Sequence, residues 1–307
     1  MPSYALPHLR ELESESIHIL REVVAEYKNP VMLYSVGKDS SVMVRLAQKA
    51  FHPGKVPFPL MHIDTGYKFP EMYAFRDRFC KEIGATLIVE RNEEWIAKGC
   101  HPLELGTEKC CWHLKTQGLL DALKKHNFDA AFGGARREEE KSRAKERVFS
   151  VRDMYGQWDP KNQRPELWDL YNTQLNEGQT VRVFPLSNWT EVDIWNYIRA
   201  ERICVVPIYF AQEREVIERE GLLIPLCTAP SVQDDTWVKD NEKVKSVSCR
   251  FRSLGCIPCT GAIPSEATTL DELIAEVVRA RKSERENRVI DLSSDAAMEE
   301  KKKEGYF

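Results

Sequence analysis

The chain has 307 residues, 42% of them hydrophobic, and a formal net charge of −4. That suits one domain of ordinary core size plus a sizeable extension, and excludes bulk, sequence-independent binding of nucleic acid. There is no basic leader with an apolar segment and no apolar run of membrane-spanning length, and the opening residues already include Arg10, Glu11, Glu13 and Glu15, so a cytoplasmic protein with no membrane contact is expected.

Between residues 9 and 27, Leu12, Ile17, Ile19, Leu20, Val23 and Val24 recur among acids, the pattern of an amphipathic helix that Asn29 and Pro30 end. A first strand follows and stops abruptly at Ser35. Gly37 lifts the steric bar to an unusual backbone angle, and Asp39 with Ser40 offers a cap for a helix over 40–50, closed by His52-Pro53-Gly54. Residues 59–63 read as a second strand delivering Asp64-Thr65-Gly66-Tyr67, and a helix starts at Glu71. Further strands are expected over 86–90, 128–132 and 180–184, with a helix over 114–126. Alternating strands and helices predict an α/β fold, a parallel sheet with helices on both faces. The expected division is a first domain over 1–210 that holds this sheet and a C-terminal extension over 211–307.

Ligands of such sheets sit outside the carboxyl ends of the strands. Four polar loops gather there: the one after Ser35, the one at 64–67, Gly133-Gly134-Ala135-Arg136-Arg137, and the one at 185–189. The first is strand, tight loop and helix, aiming backbone N–H groups and a helix N-terminus at one point, with Lys38 adding a charge; it suits a polyphosphate. It is not a Walker loop, because Met32 stands where the first glycine belongs and Asp39 follows Lys38. Ser35-Val36-Gly37-Lys38-Asp39-Ser40 instead resembles the Ser-Gly-Gly-Lys-Asp-Ser signature of the PP-loop ATP pyrophosphatases, with Val36 in place of the first glycine.

Between 136 and 147, Arg136, Arg137, Lys141, Arg143, Lys145 and Arg147 mix with Glu138, Glu139, Glu140 and Glu146. On a helix, Arg136, Arg143 and Arg147 would share one stripe, either a solvated salt-bridged face or a set of guanidinium forks for tetrahedral oxyanions; their place directly after Gly133-Gly134 favours the second. The run from His62 through Asp64-Thr65-Gly66 to Glu71 resembles the second motif of the PP-loop enzymes of sulfur assimilation, in which it helps seat the nucleotide. Asp64 could contact ligand or brace its own loop. Residues 131–147, 158–168, 184–195 and 250–256 resemble the small, catalytic subunit of bacterial ATP sulfurylase nearly throughout, and the likeness runs from about residue 9 to the terminus.

That resemblance implies adenylation of sulfate by ATP, with release of pyrophosphate. Sulfate is already a deprotonated oxyanion, so the reaction needs positioning and charge neutralisation and no general base. The implied nucleotide site is Ser35, Gly37, Lys38, Asp39, Ser40, Ser41, Asp64, Thr65, Gly66, Gly133 and Gly134, with Asp39 as helix cap or Mg²⁺ ligand. Lys38, Arg136, Arg137 and Arg143 would be catalytic, and Arg143, Lys145, Arg147, Arg250 and Arg252 would hold the sulfate. The family works with a large elongation-factor-like GTPase whose GTP hydrolysis drives synthesis, and the loop at 157–171, with Trp158, Trp168 and Tyr171, is either a contact for that partner or ordinary core.

The alternatives are a sulfonucleotide reductase, a non-catalytic nucleotide-binding subunit and a tRNA-modifying PP-loop enzyme. A reductase should carry its nucleophilic cysteine near the carboxyl terminus, yet none follows Cys259, and no basic RNA-binding extension is evident. Nine cysteines at irregular spacing read as reduced thiols. Cys256-Ile-Pro-Cys259 has only Cys249 and Cys227 nearby and no second such pair, while Cys110 and Cys111 are adjacent, so buried thiols are expected and structural zinc is not. Cys80, Cys100 and Cys204 are read the same way, and the seven histidines form no cluster.

Overall fold

The computed structural model describes residues 7–139, 141–219, 221–226, 238, 241–280 and 303–305. Glu140, Cys227, Lys301 and Lys302 lie outside them. Helix α1 (Pro7–Glu26) precedes strand β1 (Pro30–Leu33), and α2 (Lys38–Phe51), β2 (Leu60–Ile63), α3 (Pro70–Glu82) and β3 (Leu87–Glu90) follow. Three short helices, α4 (Glu93–Ala97), α5 (Pro102–Leu105) and α6 (Thr107–Cys111), lead through a π-helical turn (Trp112–Gln117) into α7 (Gly118–Lys125) and β4 (Ala130–Phe132). Then come α8 (Lys141–Ala144), β5 (Phe149–Arg152), β6 (Thr180–Val183), α9 (Glu191–Glu201), β7 (Gln212–Arg219), β8 (Leu222–Pro225), β9 (Lys245–Arg250), β10 (Ile263–Pro264) and α10 (Leu270–Arg279).

The main sheet has the order β3-β2-β1-β4-β6-β5. Five of its strands are parallel, and β5 joins the edge antiparallel to β6. Because β1 and β4 lie in the middle with both faces covered, their side chains are nearly all buried, which is why they read as unbroken apolar runs. Helix α1 packs Leu9, Leu12, Ile19, Leu20 and Val23 inward. Ser16 sits on that stripe; its hydroxyl donates to the Pro185 carbonyl at 2.8 Å and accepts from Trp189 Nε1 at 3.0 Å, tying α1 to the loop after β6. A second sheet, β10-β9-β7-β8, is antiparallel throughout. Neither β5 nor this sheet is foreseen by the sequence pattern.

The charged stretch after β4 is not the single helix that its spacing suggested. Arg136 lies in an irregular segment, residues 137–139 turn, and only Lys141–Ala144 is helical, so Arg136, Arg143 and Arg147 share no helical stripe.

The long loop after β5 runs along that edge strand and covers it. The Glu166 carboxylate accepts the Val148 and Phe149 N–H groups at 2.9 and 2.7 Å, and Gln163 pairs with both polar groups of Val151. Its two tryptophans part company: Trp158 is 2% exposed and Trp168 is 85% exposed, flanked by exposed Leu167 and Leu170. Trp158→Ala is therefore expected to destabilise the chain by about 3–5 kcal/mol, while Trp168→Ala should stay within about 0.5 kcal/mol of the parent. Denaturant unfolding of the two variants checks this, and equal losses would place Trp168 in the core.

Candidate active site

Strand β1 hands over to α2 through a turn whose geometry departs from the expected one. Val36, not Gly37, takes the left-handed conformation, at φ 65°, while Gly37 is extended at φ −81°, ψ 170°. A β-branched residue there carries strain of about 1–3 kcal/mol, held in place by full burial of its side chain. Helix α2 begins at Lys38, and neither Asp39 nor Ser40 caps it. The Ser40 and Ser41 hydroxyls donate to the Gly37 carbonyl at 2.9 and 3.0 Å, and the Lys38 N–H donates to the Tyr209 phenol oxygen at 2.8 Å.

Asp39 instead works as a counter-ion. Its carboxylate accepts from Arg136 Nε at 2.7 Å and from Lys38 Nζ at 3.2 Å. Burial alone would push this carboxyl up, but the Lys38 ammonium and the Arg136 guanidinium outweigh it and hold it below the usual carboxylate range. The Lys38 ammonium also lies 3.5 Å from the Arg252 carbonyl. Gly134 makes the arrangement possible, since a Cβ at that position would come within 3.0 Å of Asp39 Cβ.

These groups border a cleft of about 180 Å³ at the carboxyl ends of β1 and β4, where the strand order reverses direction. Ser35, Gly37, Lys38, Asp39, Ser40, Gly134 and Arg143 line it together with Glu139. Arg143 pairs with Glu139 at 3.1 Å, and its Nε is buried with no hydrogen-bond partner among the described residues. Arg136 stands behind Asp39.

The other expected residues are placed elsewhere. Arg137 donates to the Asn188 side chain at 2.6 Å, bracing the loop after β6. Lys145 and Arg147 are exposed. Arg250, the last residue of β9, pairs with Glu276 of α10 at 2.8 Å, and Arg252, just past that strand, with Glu191 of α9 at 2.6 Å, so both guanidinium groups are spent on helices. Gly133 gives its N–H to Val183. Asp64 accepts from Gly66 N–H at 2.8 Å and the Tyr73 hydroxyl at 2.7 Å, which is the bracing geometry; Gly66 supplies φ 79° for that turn. Burial raises the Asp64 carboxyl, and the Tyr73 and Gly66 hydrogen bonds together with nearby positive charge, Arg91 included, leave it below the usual carboxylate range. Thr65 borders a neighbouring cavity, and Cys204 is exposed rather than buried.

Sequence reasoning missed His62, Lys68, Lys115 and Tyr209, all in the cleft wall. His62 and Lys68 flank the 64–67 loop inside the run already noted, a contiguity that could have signalled those two; Lys115 and Tyr209 carry no such mark. The His62 ring is buried, with Nδ1 at 2.8 Å from the Tyr34 carbonyl, and burial pushes its pKa down to about 4. The ring is therefore neutral near pH 7.

The family model of the phosphoadenosine phosphosulfate reductase domain matches residues 29–262. Sulfate adenylyltransferase subunit 2 of Phocaeicola vulgatus is 58% identical over 99% of both chains, and those of Saccharophagus degradans and Methylococcus capsulatus are 58% identical over 100% of both. The chain belongs to the sulfate adenylyltransferase subunit 2 family. Among solved structures, phosphoadenylyl-sulfate reductase from Candida auris aligns with 67% of this chain and 91% of its own at 17% identity and TM-score 0.45, too loose a likeness to bear on chemistry. The α/β fold with its mainly parallel sheet is as the sequence pattern implies, and no described helix is long and apolar enough to cross a membrane.

His62 makes stability depend on pH. Its folded value lies below the unfolded one of about 6.5, so protons favour the unfolded chain between roughly 6.5 and 4. This contribution is intact above pH 6.5 and is lost as pH falls, at up to about 1.4 kcal/mol per pH unit. His62→Asn keeps an N–H for the Tyr34 carbonyl and should flatten stability over that window. Unfolding curves at stepped pH check it; an unchanged acid limb would remove His62 as its source.

Proposed function

We propose that this chain joins the α-phosphorus of ATP to a sulfate oxygen, forming adenosine 5′-phosphosulfate and releasing pyrophosphate. What carries the reading is that the Lys38 loop and the buried, partner-seeking Nε of Arg143 border one cleft, in a chain 58% identical to sulfate adenylyltransferase subunits. A sulfate oxygen attacks the α-phosphorus as the bond to the bridging oxygen of the β-phosphate breaks. No proton needs to be removed, and neutral His62 is not called on as a base. Loop N–H groups, the Ser35 hydroxyl and Lys38 receive the β and γ phosphates, which take over from Asp39 as partner of Lys38. Arg143 offers its fork to sulfate, and Arg136 neutralises charge from behind Asp39.

Mg²⁺ is usually bound through one or two carboxylates plus substrate phosphates. Asp39 and Glu139 are the two carboxylates in the cleft wall, and no described group of three side chains could hold an ion alone, so the residues fit an ion that arrives with ATP. Such an ion would supply further charge neutralisation for the phosphates.

Lys38→Ala should lower turnover by about 100-fold, with a smaller loss of ATP affinity, because its charge counts most as pyrophosphate separates. Pyrophosphate exchange and equilibrium ATP binding measure the two. Loss of affinity with full turnover at saturation would make Lys38 a binding residue only, and a wild-type chain that binds ATP without exchange would be a non-catalytic binding subunit. Arg143→Lys keeps charge but loses the planar fork, so the KM for sulfate should rise about tenfold.

The phosphoric–sulfuric anhydride lies far uphill of ATP and sulfate, and the sequence holds no Walker loop to drive it. The reading therefore includes a large elongation-factor-like GTPase partner whose GTP and GDP states bind this chain differently. Exposed Trp168, with Leu167 and Leu170, is the proposed contact, as tryptophan is enriched among residues that carry interface energy. Synthesis without pyrophosphatase should rise with GTP only when both subunits are present, and Trp168→Ala should weaken assembly at least tenfold. Equal synthesis with and without GTP would end the coupling proposal, and undiminished assembly would move the contact elsewhere.

A further inference from the structure

Behind the wall formed by Lys68, Lys115 and Gly255 lies a second cavity, and four thiols border it: Cys110, Cys111, Cys256 and Cys259. The chain brings them there from positions far apart in sequence. Cys110 and Cys111 end α6, where the backbone loosens at once into the π-helical turn, and both line the cavity although they are neighbours. Cys256 precedes and Cys259 ends a single 3₁₀ turn, which the Ile257 N–H anchors to the Tyr67 carbonyl at 2.8 Å. Gly255 lets that turn close, because a Cβ there would stand 2.6 Å from Thr260 Oγ1.

Polar groups already point at the sulfurs. Thr65 Oγ1 lies 3.2 Å from Cys256 Sγ, Lys68 Nζ lies 3.9 Å from the same sulfur, and Cys259 Sγ is 3.8 Å from Thr107 Oγ1. Such surroundings tune thiolate ligands. Yet no three described His, Cys, Asp or Glu side chains converge closely enough for a single ion. Zinc would require four sulfurs closed to about 2.3 Å around one point. Here the thiols stand around open space of about 50 Å³, where a water takes about 10–15 Å³ by the same measure. Four sulfurs spread around a volume several waters in size suit a polynuclear centre.

We propose that Cys110, Cys111, Cys256 and Cys259 ligate a [4Fe–4S] cluster in this cavity. The four-thiolate cluster is an anion, and Lys68 and Lys115 offset its charge from the wall shared with the nucleotide cleft. The cluster pins α6 to the 256–259 turn and so holds that wall in place. It is a bound centre in this proposal, with no electron transfer assigned to it.

The test is metal content. Full-length chain, purified without oxygen and incubated with ferric iron, sulfide and a thiol that reduces part of the iron, should hold about four iron and four acid-labile sulfide per chain after desalting, with broad visible absorption. Cys111→Ser and Cys256→Ser should each lose at least half of both, and exposed Cys204→Ser should lose none. Thermal melts report whether the variants fold, and the wild-type stoichiometry stands without them. Iron at background with all cavity thiols open to alkylation, one zinc per chain after purification, a Cys256–Cys259 disulfide that survives the reductant, or iron uptake unchanged in folded Cys→Ser variants would each overturn it.

Discussion

Lys38 and Arg136 place two cationic groups, each 1% exposed, at the first turn of α2, and Asp39 is the anion that makes this tolerable. Withdrawing an ammonium or a guanidinium from water costs several kcal/mol unless a partner offsets it, so the three side chains stand or fall together. Much else follows from that constraint. Gly134 must lack a Cβ for the β4 loop to approach α2, and Arg136 must leave the helical path suggested by its sequence to reach the carboxylate. The strained Val36 is held by the same tight turn. Asp39 holds the two cations together; under the proposed function it is the internal anion that the substrate phosphates displace.

The sheet order decides why this happens between β1 and β4. The chain winds outward to β2 and β3, then returns to place β4 on the other side of β1, and the adjacent loops separate there to leave a crevice. The connection from β9 to β10 lines the crevice with Ser253, Leu254 and Gly255, and is anchored by the pairs Arg250–Glu276 and Arg252–Glu191. Those two arginines look like anion ligands in a sequence because their charge is visible and their acidic partners, far along the chain, are not.

Strands buried on both faces were legible because their apolar runs depend on nothing outside them. The four residues of β5 were not, since the glutamate and glutamine that satisfy its edge come from a loop without period. Strand β7 hid for a different reason: Gln212–Arg219 carries charge at most positions, and its two buried residues, Val216 and Ile217, are consecutive rather than alternating. In the site, the Lys38 loop was readable as a motif, whereas its partners Tyr209 and Arg252 bear no mark of their role. That Cys110, Cys111, Cys256 and Cys259 border one cavity was not legible, because spacing along the chain does not set distances in space.

The N–H of Lys38 is taken by a tyrosine 171 residues downstream, and its ammonium reaches a carbonyl 214 residues downstream. During synthesis the loop is thus among the first elements to emerge and among the last to be finished. A nascent chain that has just exposed β6 holds the phosphate loop but lacks both oxygens that satisfy it, along with the roof of the crevice. Maturation of the nucleotide site is in this sense a late event, timed by the arrival of the second sheet rather than by the folding of the first.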